Sequence, residues 1–416
     1  MPVHLEPPTA AQLHPVQGLR IGVAQAGIKK PGRKDLTVVL IDEGASVGGV
    51  FTQNRFCAAP VQICRQHLAA TQANSNEKPL GVSQGIRALL INTGNANAGT
   101  GEEGLQRANE TCEALAKALS IKAKQVLPFS TGVIMEPLPH TRIVAGLPAA
   151  ISAAGNAPTS QQWLDAAEGI MTTDTVPKAA STQTTIAGKT ISVTGISKGA
   201  GMIHPNMATM IAVITTDAAL EPNELDAMLR VAVEQSFHRI SIDGDTSTND
   251  SVFAFATAQR GAAADHKELQ RAFCEVAREL AHMIVCDGEG FTRAFEVRVR
   301  GAASAADALA VSKTMATSML VRCAITGGDP NWGRLLAAAG RSGAKVDPEQ
   351  VSLCVGDVVL FQHGQPADTP KQIAAAEFSK ANVIIELDLG LGAHEDFFIS
   401  SGLTQEYVKL NSEYST

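Results

Sequence analysis

The feature that most constrains the fold is a loop at the middle of the chain that runs directly into a buried strand. The loop is Lys198-Gly-Ala-Gly-Met-Ile-His-Pro-Asn-Met-Ala-Thr209. Its glycines permit backbone angles that other residues avoid, and its proline removes a hydrogen-bond donor. Residues 210–215 then form a short apolar run rich in isoleucine and valine, which predicts a strand in a core. Thr209 stands at the junction, where a rigid strand can hold a nucleophile at a fixed angle.

Strand-like and helix-like apolar spacings alternate along the rest of the chain, which is typical of an α/β protein. Residues 1–20 resemble a mobile lead-in, and Ser160 is the expected N-cap of its helix. We predict strands at 36–41, 88–91, 210–215, 295–299, 351–354, 358–361 and 383–389, and a strand or hairpin at 187–196. We predict helices at 102–119, 140–154, 160–171, 221–235, 266–285, 303–323, 335–339 and 370–381.

Size and charge limit the classes of function. With 416 residues the chain is too long for one ordinary core, so we expect two or three domains. The net charge of −7 and the lack of a lysine-arginine block argue against a nucleic-acid partner. No apolar run approaches the ~20 residues of a membrane span, and the N-terminus does not resemble a signal peptide. Seven scattered cysteines without a CxxC pair indicate reduced thiols rather than disulfides or a zinc site. We therefore expect a cytoplasmic protein.

Four further segments place polar side chains and glycines at the ends of predicted elements. A separate segment, 241–251, is rich in oxygen ligands. It lacks the glycine and glutamate of an EF-hand, so we expect no metal site there. The four segments are Val126-Leu-Pro-Phe-Ser-Thr131-Gly132-Val-Ile134, Thr172-Thr-Asp-Thr175-Val-Pro-Lys178, Cys286-Asp-Gly-Glu289-Gly290, and the tail from Tyr407 through Asn411 to Thr416.

The central loop and these segments resemble the ornithine acetyltransferases of arginine biosynthesis. The resemblance implies a layered α-β-β-α sandwich with a core sheet extending to about residue 300 and a smaller α/β domain at about 301–400. It also implies self-cleavage between Ala208 and Thr209, giving chains 1–208 and 209–416. His204 departs from the family pattern, in which alanine is common at this position.

The same resemblance implies roles for individual residues. Thr209 would be the nucleophile, and Thr131 with Gly132 would form the oxyanion hole. The substrate would be contacted by Thr172, with Thr175 as the alternative, and by Lys198, Glu289, Asn411 and Thr416. Lys198 would pair with a substrate carboxylate, although it could also be a solvated loop lysine. The cleaved chains would pair as a heterotetramer of two α and two β chains.

The chemistry of threonine agrees with these expectations. A threonine hydroxyl is a weak nucleophile that needs a base. After cleavage at Ala208, the new α-amine of Thr209, with a reference pKa of about 7.7–8.0, can accept the hydroxyl proton. The hydroxyl would take acetyl from N2-acetylornithine, and glutamate would then remove it in a ping-pong reaction. This transfer needs no metal or nucleotide cofactor, and the sequence leaves open whether acetyl-CoA is a second donor.

Two other functions are compatible with the sequence. A self-processed amidase or aminopeptidase would use the same nucleophile and pass the acyl group to water. A non-catalytic α/β protein that binds amino acids would stay uncleaved at Ala208. A denaturing gel separates the second alternative from an enzyme, because it would give one band near 43.4 kDa rather than two of half that size.

Overall fold

The computed structural model of the chain describes residues 3, 5–71, 82–83, 85–204, 210–261 and 266–413. The strands in these ranges are β1 Leu19–Ala24, β2 Leu36–Ile41, β3 Ser46–Phe51, β4 Val82–Ser83, β5 Ala88–Asn95, β6 Val126–Val133, β7 Lys178–Ile186, β8 Lys189–Lys198, β9 Ile211–Thr216, β10 Ile240–Ser241, β11 Ser251–Ala256, β12 Ala294–Ala302, β13 Ser352–Val355, β14 Val358–Gln362, β15 Gln365–Pro366, β16 Asn382–Asp388 and β17 His394–Ser401.

The α-helices in the same ranges alternate with these strands over much of the chain. They are α1 Ala59–Ala70, α2 Gly101–Leu119, α3 His140–Ala153, α4 Ser160–Gly169, α5 Pro222–Glu234, α6 His266–Cys286, α7 Ala305–Ala316, α8 Met319–Gly327, α9 Trp332–Gly340, α10 Lys371–Phe378 and α11 Gln405–Glu413.

Two sheets pack face to face at the centre of the molecule. The first sheet has the order β1-β2-β5-β6, and the second has the order β4-β3-β11-β9-β8-β7. Apolar side chains from both sheets share one core, in which Val39 and Leu89 of the first sheet join Val213 and Phe253 of the second. Because successive strand residues face opposite ways, the other face of each sheet needs a cover of its own.

Helices provide that cover on both sides. The outer face of the first sheet packs against α2 and α3, for example through Leu115 and Leu147. The outer face of the second sheet packs against α5 and α6, for example through Leu229 and Phe273. The layers therefore follow the order α-β-β-α, and the sandwich expected from the sequence is confirmed.

The third sheet forms a separate core beyond residue 293. Its order is β10-β17-β12-β16-β13-β14-β15, with α7 to α10 contributing apolar residues such as Val311 and Phe378 to the same core. The short β10 comes from the middle of the chain and pairs in parallel with β17. Through β10, the third sheet is joined to the segment that follows α5. α11 follows β17 and is the last element that the structure describes.

The helix expected at 303–323 is wrong as a continuous element. It is divided into α7 and α8, which meet at 56°. The Thr317 hydroxyl donates to the Lys313 carbonyl, and Ser318 has an extended backbone, so the i→i−4 ladder stops between them. The predicted N-cap of α4, Ser160, is also wrong by one residue. Thr159 accepts from the Gln162 backbone, whereas Ser160 is inside the helix and donates to the Leu13 carbonyl.

The prediction that residues 1–20 form a mobile lead-in is also wrong for its second half. Leu13 and Val16 are buried in the core between the two sheets, and β1 begins at Leu19. The prediction relied on the prolines of this segment, but two well-spaced apolar side chains suffice to fix an irregular segment on a core.

None of the described helices alone has the length and hydropathy of a membrane span. The bent pair α7 and α8 is long and apolar enough for a span only when both helices are counted together. Residues such as Val311, Met315 and Ile325 of this pair are buried in the third core.

Candidate active site

The strand that follows Thr209 lies in the interior of the second sheet. On one side of β9, Lys198 at the end of β8 is paired with Ile211, and on the other side Ser251 at the start of β11 is paired with the same residue. Ala208 and Thr209, with the rest of residues 205–209, lie outside the described residues. The chain is described again from Met210, which is buried. Lys198 and Ser251 therefore flank the start of β9, two residues after the nucleophile proposed from the sequence.

Thr131 and Gly132 lie near the end of β6, beside a register shift in β5. Gly132 pairs with Gly94 in a parallel ladder that is disrupted at the next residue. Its φ is +136°, and an added Cβ would lie 2.3 Å from the Gly94 carbonyl carbon. Only glycine fits such a position. Tight backbone packing therefore fixes the bend that carries Thr131 and Gly132.

Lys198 connects this bend to the second sheet. Its Nζ donates to the Thr131 Oγ1 at 3.1 Å, and only 3% of the residue is exposed. The alternative of a solvated loop lysine is therefore wrong. Burial lowers the pKa of Lys198 below its usual value, although Asp174, Asp250 and Glu289 oppose this effect.

Thr172 faces a cavity at the same bend. The cavity has a volume of about 460 Å³, and its lining includes Gly132, Thr172 and Arg33. The Thr172 backbone N–H donates to Asp174 at 2.9 Å, and Arg33 donates to the Thr172 carbonyl at 2.9 Å. The alternative residue, Thr175, instead donates its hydroxyl to the Asp287 carboxylate. Of the two threonines, Thr172 is the one that lines the cavity.

A buried charge network that the sequence analysis missed supports these segments. The Lys178 ammonium is fully buried between Asp174, at 2.7 Å, and Asp287, at 2.6 Å. Asp174 also accepts from the Gly199 backbone N–H at 2.7 Å. Burial by itself would raise the pKa of Asp174, but Lys178 and Lys198 outweigh it and hold that pKa well below its usual range. The spacing of Asp174 and Lys178 was visible in the sequence, whereas the pairing with Asp287 is non-local.

Glu289 and Asn411 are brought together by α11, the tail helix. The Asn411 Nδ2 donates to the Glu289 Oε2 at 3.0 Å, and the Glu289 backbone N–H donates to the Ala200 carbonyl at 3.0 Å. The Tyr407 ring, one turn before Asn411, stacks on Phe291 with 5.4 Å between ring centroids. The tail is therefore a docked helix rather than a frayed end. Thr416 lies outside the described residues.

Asp243 anchors the loop that follows β8. It accepts from the backbone N–H groups of Met202, at 2.5 Å, and Ile203, at 3.0 Å. Burial raises the pKa of Asp243 to about 6, although these backbone donors oppose the shift. Within the ranges that the structure describes, no group of three histidine, cysteine or acidic side chains could hold a metal ion. The acidic segment 241–251 thus has a structural task at Asp243.

His204, the residue that departs from the family pattern, is partly buried beside the third sheet. Its Nδ1 is 3.0 Å from the Ser241 Oγ. Burial lowers the pKa of His204 to about 4, and Lys313 contributes to the same shift. The imidazole is therefore neutral near pH 7 and serves as a hydrogen-bonding partner of Ser241.

The segment Lys198–Gly201 is where the separate motifs meet. Lys198 contacts Thr131, Gly199 contacts Asp174, and the Ala200 carbonyl accepts from the Glu289 backbone. A Cβ on Gly201 would lie 2.9 Å from the Glu289 carboxylate, so the two are in close contact. Thr131, Asp174 and Glu289 therefore surround the end of β8, and Asn411 joins them through Glu289.

Comparisons with known proteins identify the family of the chain. A sequence profile described as the ArgJ family matches residues 20–416. The chain is also 44% identical to the arginine biosynthesis bifunctional protein ArgJ of Colwellia psychrerythraea (strain 34H / ATCC BAA-681), in an alignment of 430 residues that covers both chains completely. The chain belongs to the ArgJ family. It is an acetyltransferase of arginine biosynthesis, as the resemblance implied.

Solved structures from the ArgJ family are also similar to the chain. The arginine biosynthesis bifunctional protein ArgJ of Bacillus halodurans is 34% identical, with a TM-score of 0.46, over 48% of this chain and 97% of that chain. The ornithine acetyltransferase of Mycobacterium tuberculosis, solved in complex with ornithine, is 32% identical, with a TM-score of 0.36, over 45% of this chain and 91% of that chain.

Proposed function

We propose that the chain transfers acetyl from N2-acetylornithine to glutamate through an acetyl ester of Thr209. We further propose that the chain cleaves itself between Ala208 and Thr209 to expose that nucleophile. The main support is the contact between Lys198 and Thr131 beside the strand that begins after Thr209. A buried cation and a hydroxyl beside this strand are suited to stabilise an acyl oxyanion.

Thr131 is suited to donate a hydrogen bond to that oxyanion. Because Lys198 donates to the Thr131 oxygen, the hydroxyl hydrogen points elsewhere, and the adjacent cation strengthens it as a donor. We assign the second donor to the Gly132 backbone, in a bend that only glycine can adopt. Fixed donors of this kind need no reorganisation as charge develops on the acyl oxygen.

Charge complementarity supports the choice of substrate. Both N2-acetylornithine and glutamate carry an α-carboxylate, and the Lys198 ammonium has further N–H groups to offer beside its bond to Thr131. Glu289 presents a carboxylate oriented by Asn411, which suits an ammonium or amide group of the substrate. We also propose contacts from Thr172, which lines the cavity, and from Thr416 at the end of the tail.

The reaction then proceeds in two half-reactions. The Thr209 hydroxyl loses its proton to its own α-amine and attacks the acetyl carbonyl, and ornithine leaves. The glutamate α-amine attacks the resulting ester and restores the hydroxyl. The ester can equally form from a thioester, so acetyl-CoA is proposed as a second donor, and no metal or bound cofactor is needed. We propose that the cleaved α and β chains assemble as a heterotetramer.

Replacing Thr209 with alanine tests the nucleophile. Thr209→Ala should remain one chain near 43.4 kDa on a denaturing gel and should not transfer acetyl. Mass spectrometry of wild-type protein with N2-acetylornithine alone should find an acetyl group on the chain that starts at Thr209. Cleavage or transfer by Thr209→Ala would refute the assignment. Release of acetate without glutamate, at the rate of transfer, would favour a hydrolase.

A further inference from the structure

The proposed self-cleavage requires a proton acceptor that the mature enzyme does not need. Before the bond to Ala208 breaks, the Thr209 nitrogen is an amide and cannot act as a base. A threonine hydroxyl is a poor nucleophile without one. Another group of the precursor must therefore accept the hydroxyl proton at this stage.

Asp250 is the carboxyl group that contacts the start of the chain after the proposed nucleophile. Its Oδ1 accepts a hydrogen bond from the Met210 backbone N–H at 2.9 Å. That amide belongs to the peptide bond between Thr209 and Met210, so Asp250 fixes the peptide unit that carries the nucleophile. The Asp250 backbone is itself held in place, since its carbonyl accepts from the Thr52 N–H at 2.9 Å.

The sheet register puts Asp250 on the side of β9 away from Lys198. Ser251, the next residue, pairs with Ile211, and Lys198 pairs with Ile211 from the opposite side. An acid and a cation thus flank the start of the strand. Lys198 already donates to Thr131 of the proposed oxyanion hole, which leaves Asp250 as the acceptor of the pair.

Asp250 is not explained by its contribution to stability. The residue is fully buried, and among the described residues its Oδ2 has no hydrogen bond of good geometry, although the Ser247 backbone N–H is close enough to affect the carboxyl group. Burial raises the pKa of Asp250 well above its usual value, although the Met210 N–H and the Lys198 ammonium oppose the shift. A neutral asparagine would keep the bond to Met210 and avoid the cost of a buried charge. A carboxylate retained at such a cost is typical of a functional group.

We propose that Asp250 is the general base of self-cleavage, an inference that rests on the proposed function. The Asp250 Oδ2 takes the hydroxyl proton as the Thr209 oxygen bonds to the Ala208 carbonyl carbon. The carbon–nitrogen bond then breaks, and Asp250 returns the proton to the departing nitrogen, which becomes the α-amine. Water hydrolyses the resulting ester, leaving a carboxylate on Ala208 and a free hydroxyl on Thr209.

Asp250→Asn tests the inference in the full-length chain. Cleavage of the purified precursor, followed on denaturing gels, should slow by about 10²-fold or more, the usual contribution of a general base. Acetyl transfer per cleaved molecule should fall much less, because the α-amine is then the base. Asp245→Asn is the matched control: it removes an exposed carboxylate from the same segment and should cleave at the wild-type rate.

Stability and a conservative substitution complete the test. Asp250→Asn should melt no lower than Thr209→Ala, which is also uncleaved. Should it melt lower, Asp250→Glu decides, because restoring a carboxylate should restore cleavage if the carboxylate is the base. Wild-type cleavage by Asp250→Asn, or cleavage by Asp250→Glu no faster than by Asp250→Asn, would overturn the inference. Neither result would affect the nucleophile, which Thr209→Ala tests separately.

Discussion

Lys198 is the residue at which structure and chemistry are most closely linked. Removing an ammonium from water costs free energy that one hydrogen bond to a neutral hydroxyl does not recover. The charges of Asp174, Asp250 and Glu289 offset part of that cost. Among the described residues, none of these three carboxylates lies within salt-bridge distance of Lys198. The Lys198 ammonium instead donates its hydrogen bond to Thr131. This arrangement supports the proposal that Lys198 binds the substrate.

Lys198→Met should therefore affect catalysis more than folding. We expect kcat/KM for N2-acetylornithine, per mole of cleaved protein, to fall by about 10²–10³, the usual loss for one oxyanion-stabilising group. The melting temperature should stay the same or rise, because methionine avoids the buried charge. Lys189→Met, at the exposed start of the same strand, is the control and should change neither quantity. An unchanged kcat/KM in Lys198→Met would remove Lys198 from the site.

At the scale of elements, apolar periodicity predicted most of the α/β alternation but not every boundary. β2, α2 and α6 were predicted to within about one residue, because each is a strong periodic run. β17 was missed, because its acidic first half conceals the pattern, and the break between α7 and α8 lies at the extended backbone of Ser318, which apolar spacing does not reveal.

The site was predictable only where its parts are continuous in sequence. The bend at Gly132 was recognisable, because glycine marks a backbone constraint that is local. The complete network of Asp174, Lys178 and Asp287 was not, because 109 residues separate Lys178 from Asp287. Periodicity assigns a residue to an element, but it does not say which two elements will meet. The family resemblance supplied the roles of Glu289 and Asn411, and only the structure gave the hydrogen bond between them.

The tail helix α11 has its own prediction, since it carries Asn411 to the Glu289 carboxylate. Asn411→Ala should raise KM roughly tenfold, because losing a hydrogen bond to a charged group costs about 1.5 kcal/mol. Ser412→Ala is the matched control, since the Ser412 hydroxyl donates to the Lys409 carbonyl within the helix. Steady-state kinetics with N2-acetylornithine measure the effect. Equal KM values for the two variants would contradict the proposed role of Asn411.

At the scale of the molecule, the two halves on either side of the proposed cleavage point are interleaved. β9 and β11 belong to the second half, yet in the second sheet they lie between β3 and β8 of the first. Hydrogen-bonded ladders join β3 to β11 and β8 to β9 over six residues each. Cleavage at Ala208 would therefore leave the sheet intact.

The interleaving predicts that cleavage is invisible without denaturation. Cleaved wild type and uncleaved Thr209→Ala should elute at the same volume from a size-exclusion column. The two half-size bands should appear only after denaturation. Separation of the halves in native buffer would contradict the role of the shared sheet, because breaking two buried strand ladders exposes both apolar cores.

The buried charge network also joins the two halves, since Asp174 and Lys178 precede the cleavage point and Asp287 follows it. Lys178→Met would leave two buried carboxylates without their cation. We expect a loss of about 3–5 kcal/mol in the free energy of unfolding near pH 7, measured as a fall in melting temperature. Lys380→Met is the control, because its ion pair with Glu377 is more than half exposed on the lysine side and is worth at most about 1 kcal/mol.

The pH dependence gives this last prediction a sign that a general packing defect would not reproduce. In the wild type the pKa of Asp174 is depressed, so its contribution is complete above the unfolded value of 3.8 and is lost as pH falls below it. In Lys178→Met, Asp174 and Asp287 are buried without their cation, and protonation removes their charge. Acidification should therefore reduce the loss of stability in this variant. The melting-temperature difference between wild type and Lys178→Met should therefore shrink from pH 7 to pH 4. A difference that stays constant over this range would mean that Lys178 acts through packing rather than through its charge.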